Sequence, residues 1–228
     1  MRKAAEHKLM VDVHDDYRPL GFSRTYPNLM TQEGICGDET SPTNETSLTI
    51  LFTRMLGGAG DNTVCYYDQR VDKNATHAYQ LAKAVCFYSP WQFLFWYDRP
   101  AAAAGGKTAN VIGDEPELEF WAAMPTVWDE TRVIHARIGD HAVIARRSGK
   151  EWFIGAMNAG AARKLDLPLD FLPAGTAHTA HTYSDDDSVK TRTRVGVGKV
   201  TVDATTVLKL DLKPNGGQAI RIVPAGSP

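Results

Sequence analysis

Residues 14–39 place one histidine, five carboxylates and two arginines within 26 positions. Carboxylates crowded this closely repel, and they persist only where a cation, a shared proton or arginine partners offset the charge. Two oxygen-rich chemistries fit. One is a Ca2+ site, which draws about six to eight oxygens and favours Asp and Glu. The other is the acid and base pair of glycoside hydrolysis. The two are compatible, because an ion beside a carboxyl group orients it and tunes its acidity. The plain alternative is an exposed acidic loop paired with Arg18, Arg24 and Arg54.

Such a cluster needs rigid elements around it. The apolar, β-branched run at 9–13 reads as a buried strand, after a short helix at 2–7. A second short strand is expected at 26–31. If the two are neighbours in a (β/α)8 barrel, His14, Asp15 and Asp16 after the first face the same mouth as Glu33 and Glu39 after the second. Asn44 opens a helical pattern that puts Leu48, Leu51, Phe52, Met55 and Leu56 on one face and ends at Gly57-Gly58. Residues 63–67 read as another strand, 76–88 as a strong helix and 91–97 as a last apolar run. Alternating strands and helices predict a parallel sheet with crossover helices.

From Val127 the period changes to two. Strands are expected at 132–138, 142–147, 151–157, 163–169, 178–183, 189–195, 200–203, 206–212 and 218–223. Seven to nine short strands with Gly-containing turns predict an antiparallel β-sandwich. The fold class read from the pattern is therefore α/β plus all-β: a parallel strand–helix part at 1–124 and the antiparallel sandwich at 125–228. The dense site begins about a dozen residues from Met1, so the chain is expected to start inside a domain.

Composition narrows the partners. Twenty-five basic and 27 acidic residues give a net charge of −2, which supplies no field for nucleic acid or an anionic membrane. No apolar run is long enough for membrane insertion, and residues 1–16 do not read as a signal peptide. Cys36, Cys65 and Cys86 have no metal or disulfide spacing and read as incidental thiols.

Five motifs in one order carry a resemblance: His14-x-x-Tyr-Arg-Pro-x-Gly, Arg24-Thr-Tyr-Pro-Asn-Leu-Met-Thr-Gln-Glu-Gly, Phe52-Thr-Arg-Met-Leu-Gly-Gly, Ser89-Pro-Trp-Gln and Pro125-Thr-Val-Trp-Asp-Glu-Thr. Across essentially its whole length the chain resembles the C-terminal portion of glycoside hydrolase family 97, the α-glucosidases and α-galactosidases of polysaccharide-degrading bacteria. The resemblance implies the C-terminal half of a (β/α)8 TIM barrel over residues 1–124 followed by the C-terminal sandwich, and a calcium-dependent, exo-acting α-glycosidase with an oligosaccharide or α-glycoside substrate. It leaves galactoside and glucoside both open. It implies that Glu33 binds Ca2+, that Glu39 is the general acid and also touches the ion, and that His14 contacts the sugar. Asp15 falls where inverting members carry a catalytic glutamate and retaining members a non-catalytic residue. Under the retaining pattern the nucleophile lies upstream of Met1. A periplasmic or secreted location is implied as well. The competing expectation is a non-catalytic remnant whose sandwich only binds carbohydrate or aids assembly.

The remaining candidates read more plainly. Trp91, Phe93, Trp96 and Tyr97 suit either a sugar-stacking platform or a packed joint, with the joint the expectation. Trp121 and Trp128 are expected to pack the junction, His77 to bind no metal, and His135, His178 and His181 to be surface groups. Residues 184–188 read as a solvated hairpin tip and 98–110 as a loop or lid.

Overall fold

The structure is a computed structural model that describes residues 1–15, 18–94, 111 and 113–226. Helix α1 (Arg2–Glu6) leads to β1 (Val11–Val13). After the helical turn α2 (Phe22–Thr25), β2 (Leu29–Gln32) pairs with β1 in parallel. Helix α3 (Asn44–Ile50) crosses over to β3 (Asn62–Thr63). Helices α4 (Val71–Asn74) and α5 (His77–Cys86) cross to β4 (Gln92–Phe93), which is parallel to β3. Backbone bonds join the two pairs. The Asp61 N–H donates to the Gln32 carbonyl at 3.0 Å, and the Gly60 N–H donates to that of Tyr88 at 2.9 Å. Short parallel segments thus lie side by side in chain order, as the alternating pattern predicted.

Helix α6 (Leu118–Ala123) precedes the antiparallel part: β5 (Glu130–Arg137), β6 (His141–Ser148), β7 (Glu151–Asn158), β8 (Arg163–Pro168), β9 (His178–Asp185), β10 (Val195–Val202), β11 (Val207–Leu212) and β12 (Gly217–Pro224). Six of these form one sheet in the order β10-β9-β12-β7-β6-β5, and β11 pairs with β8 in a second layer. The sandwich is unequal. On one sheet face Val143, Ala145, Trp152, Ile154, Ile220 and Ile222 meet Leu167, Leu210 and Leu212 of the two-stranded layer. On the other, Ile144 and Met157 meet Leu48, Met55, Tyr79, Ala82 and Cys86. Both faces of β6 and β7 are therefore covered, which is why these strands read as nearly continuous apolar runs.

Helix α5 is the hub, with all ten residues buried. Thr76 caps its start by accepting the Tyr79 N–H at 3.1 Å, a contact worth about 1 kcal/mol. Its backbone lies directly on the sheet. A Cβ at Gly155 would sit 2.3 Å from the Ala82 carbonyl oxygen, and one at Gly217 would sit 2.6 Å from Tyr79 Cα. Only glycine permits that approach. Arg146 of β6 ties down the other end by donating to the Cys86 and Phe87 carbonyls at 3.0 and 3.1 Å.

Several expectations change. Helix α3 stops at Ile50, and residues 54–57 form a 3-10 turn that leaves Leu56 81% exposed. Thr49 and Thr53 both turn their hydroxyls back onto the carbonyl four residues earlier, at 2.8 Å, which weakens a helix there. Residues 189–194 are not a strand. Arg192 leaves the sheet to pair with Asp72, and Val195–Val202 is one strand where two pieces were expected. The 184–188 turn is not wholly solvated, because Asp185 accepts the Gly217 N–H at 3.1 Å and burial pushes its carboxyl up. His178 is buried rather than on the surface. No helix among the described residues is long and apolar enough to cross a membrane.

Candidate active site

The parallel register explains why residues from two loops meet. Asp12 lies opposite Thr31 and Val13 opposite Gln32. The residues just beyond each strand, His14 and Glu33, therefore emerge side by side. Thr31 Oγ1 donates to Asp12 at 2.6 Å and locks this edge. Six residues past Glu33, a 3-10 turn at Asp38–Thr40 brings Glu39 back to the same place. One nitrogen of His14 and one carboxylate oxygen each of Glu33 and Glu39 all lie within 4.8 Å of one another.

The acids are not neutralised by arginine. Among the described residues no ion pair joins Arg18, Arg24 or Arg54 to Glu33 or Glu39. Arg54 instead donates to the Glu33 carbonyl at 3.1 Å, to Gln32 at 2.7 Å and to Gly58 at 2.9 Å. It braces the loop backbone and leaves the carboxylates open. Among the described residues, one buried oxygen of Glu33 and one of Glu39 have no hydrogen-bond partner, although that of Glu33 lies 3.7 Å from His14 Nδ1. Burial pushes the Glu33 carboxyl up, against the opposing pull of His14 and the Asp15 backbone N–H.

Asp61 joins the group, and sequence reasoning missed it. Its side chain is fully buried, and one oxygen lies 2.6 Å from His14 Nδ1. Burial raises this carboxyl to about 6, while the bond to Asp61 raises the His14 ring. The available signal was a lone acid after Gly57-Gly58-Ala59-Gly60 and before the apolar run 64–67. Lys83 was also missed, a single cation inside an otherwise uncharged helix. It is 1% exposed and binds Asp38 at 2.5 Å.

Asp15 stands apart in part. It is exposed with φ of 64°, and its carboxylate is not among the three groups that converge. Asp16, Trp96, Tyr97 and residues 98–110 lie outside the described residues. Trp91 and Phe93 stack at 6.1 Å, partly exposed. Trp121 packs on Tyr66 and Trp128 on Phe153, at 5.4 and 5.6 Å, as junction groups. The three cysteines are free thiols. A cavity of about 740 Å³ lies between β2 and the antiparallel part near Arg24, Trp128 and Arg146, and none of the clustered acids lines it.

Two family models match the chain. The one described as "Glycoside hydrolase 97" covers residues 1–35, and "Glycosyl-hydrolase 97 C-terminal, oligomerisation" covers residues 127–223. The chain belongs to glycoside hydrolase family 97. It is 29% identical to a retaining alpha-galactosidase of Bacteroides thetaiotaomicron, over 96% of this chain and 34% of that protein. It is 36% identical to a probable retaining alpha-galactosidase of Streptomyces bingchenggensis, over 72% of this chain and 25% of that protein. A family 97 enzyme from Pseudoalteromonas sp. strain K8, solved with panose, superposes with a TM-score of 0.83 at 30% identity, over 98% of this chain and 36% of its own. The chain thus spans between a quarter and just over a third of the length of these relatives.

Proposed function

We propose that this chain is the C-terminal part of a retaining, calcium-dependent, exo-acting α-galactosidase, with its parallel segments forming one wall of a (β/α)8 barrel over residues 1–124 and its sandwich at 125–228. The convergence of His14, Glu33 and Glu39 carries this reading. The named relatives support galactosides, and the panose complex of the Pseudoalteromonas enzyme supports an oligosaccharide substrate. The reading keeps a periplasmic or secreted location.

The donor set suits calcium. Glu33 and Glu39 offer hard carboxylate oxygens, one buried oxygen on each without a hydrogen bond among the described residues. Such oxygens are costly unless something binds them. When bound, the ion would offset the paired negative charges and act as a Lewis acid toward sugar oxygens. Imidazole is a poor calcium ligand, and Nδ1 of His14 is already held by Asp61. That bond fixes the ring orientation at the edge of the cluster, and in this reading His14 contacts the sugar.

Glu39 is the general acid of this reading and delivers a proton to the departing glycosidic oxygen. Glu33 stands beside it as a metal ligand. Asp15 contributes its N–H to Glu33 rather than acting as a base. In a retaining reaction the nucleophilic carboxylate stands about 5–5.5 Å from the acid. We place that residue outside residues 1–228.

The test compares Glu39→Gln with the parent, both in the chain and in a version extended at its N-terminus. Substrates are an unactivated α-galactoside and one with a strongly acidic phenol leaving group. Loss confined to the unactivated substrate, about 100-fold or more, is expected for a missing acid. Equal rates on the unactivated substrate would refute the assignment. Turnover by neither polypeptide would favour the non-catalytic remnant.

A further inference from the structure

We propose that Lys83 is a positioning residue for Glu39: through its buried ion pair with Asp38, helix α5 and the antiparallel sheet beneath it set where the Glu39 carboxyl stands. The proposal rests on the reading of Glu39 as acid and calcium ligand, and it adds an agent that neither the family resemblance nor the clustered acids supply.

The connection is continuous. Asp38 and Glu39 are consecutive in a three-residue turn, so fixing one fixes the backbone of the other. Lys83 Nζ lies 2.5 Å from Asp38 Oδ1, and Asp38 Oδ2 accepts the Cys65 N–H at 3.2 Å. Both oxygens of Asp38 are thus held by groups outside its own loop. The downstream side is held too, since Asn74 donates to the Ser41 and Pro42 carbonyls at 2.7 and 3.2 Å. Lys83 has little room to move. It is 1% exposed, and its helix rests on Gly155 and Gly217 at backbone contact.

Stability alone is a weak reason for this pair. Two buried charges gain little over a well-packed apolar pair of the same size, because their desolvation cancels most of the attraction. What the charges add is direction, and a short bidentate-anchored carboxylate fixes the turn more tightly than apolar packing can. The turn that carries the acid is the place where that fixity has a chemical use.

Calcium affinity reads the placement of Glu39 without requiring turnover. The chain, Lys83→Met and the double variant Asp38→Asn/Lys83→Met are titrated with Ca2+ by calorimetry, and their melting temperatures are recorded. Lys83→Met leaves an uncompensated buried carboxylate and is expected to melt earlier. The double variant removes both charges and is expected to recover most of that loss. It is still expected to bind Ca2+ about tenfold or more weakly than the parent. Parental affinity in the double variant would overturn the proposal and make the pair purely structural. Glu33→Gln and Glu39→Gln serve as references. If neither weakens binding, or the parent binds no Ca2+, the metal reading itself fails and takes this proposal with it.

Discussion

Replacing Gly37 with alanine separates the fold from the chemistry. Gly37 has φ of −68° and ψ of 168°, a conformation any residue adopts. Alanine there carries no backbone strain, and it restricts the unfolded chain, which favours folding by about 0.4–1 kcal/mol. The added methyl, however, would lie 2.9 Å from Glu39 Oε2, 3.1 Å from Oε1 and 3.2 Å from Cδ. Ordinary contact begins near 3.4 Å, so the carboxyl must retreat by roughly half an ångström or turn to another rotamer. A carboxyl at the end of a flexible side chain does this at little cost to the fold. Its position relative to Glu33 and His14 is what changes. Misplacement on the order of 1 Å costs about 100-fold in a reaction that depends on orientation. Gly37→Ala is therefore expected to melt at or slightly above the parental temperature. It should bind Ca2+ about tenfold more weakly, and the extended enzyme should hydrolyse an unactivated α-galactoside about 10- to 100-fold more slowly. Parental Ca2+ affinity combined with parental hydrolysis would refute the placement of Glu39. A large drop in melting temperature would show that the site loop cannot yield as described.

Three further outcomes follow from other contacts. His77 is buried, and its pKa is pushed down from 6.5 to about 4 by burial and by the charge of Arg192. A depressed folded-state pKa means full stability above about pH 6.5 and a loss as pH falls toward 4. At about 1.4 kcal/mol per unit, that loss reaches at most about 3 kcal/mol. Urea titrations should show it, and His77→Gln should flatten it, whereas stability that rises on acidification would contradict the burial. Gly155→Ala drives a methyl against the Ala82 carbonyl at 2.3 Å, which is backbone and cannot swing aside. A loss of about 1–3 kcal/mol is expected in chemical denaturation, and an unchanged midpoint would mean that α5 does not sit on β7 as described. Asp61→Asn removes the contact that chiefly raises the His14 ring pKa, so NMR titration should show that value falling. An unmoved His14 would deny the pairing.

What the sequence shows well is local order. Helix α5 was legible because Thr76 caps it and ten residues without Gly or Pro follow. Strands β5 to β7 were legible because short turns with Gly139 and Gly149 separate runs of clear apolar content. The failures share a cause. Leu56 fits the apolar stripe of α3, but threonine hydroxyls competing for helix carbonyls end that helix early, and a periodicity count does not register them. Residues 189–194 alternate like a strand, yet the partner of Arg192 is Asp72, 120 positions away. At the site, the clustered acids drew attention to Glu33 and Glu39, and the family motif around them, not their spacing, gave them roles. Asp61 and Lys83 did not, since each is alone in its stretch and acquires meaning only when β2, β3 and α5 come together.

The distribution of cations supports the proposed reading of the acidic loop over that of a plain surface loop. An acidic surface loop would consume its nearby arginines on carboxylates, and its acid oxygens would face water. Here Arg54 gives its hydrogen bonds to carbonyls of the loops that carry Glu33 and Gly58. Lys83 is engaged by Asp38, and His14 by Asp61. These three cations hold the frame, while among the described residues one buried oxygen each of Glu33 and Glu39 has no hydrogen-bond partner. Groups left that way carry a desolvation cost of roughly 1–3 kcal/mol or more apiece unless a ligand meets them. On the proposed reading, a divalent cation between Glu33 and Glu39 would offset that cost beyond what His14 Nδ1, 3.7 Å from Glu33 Oε2, supplies.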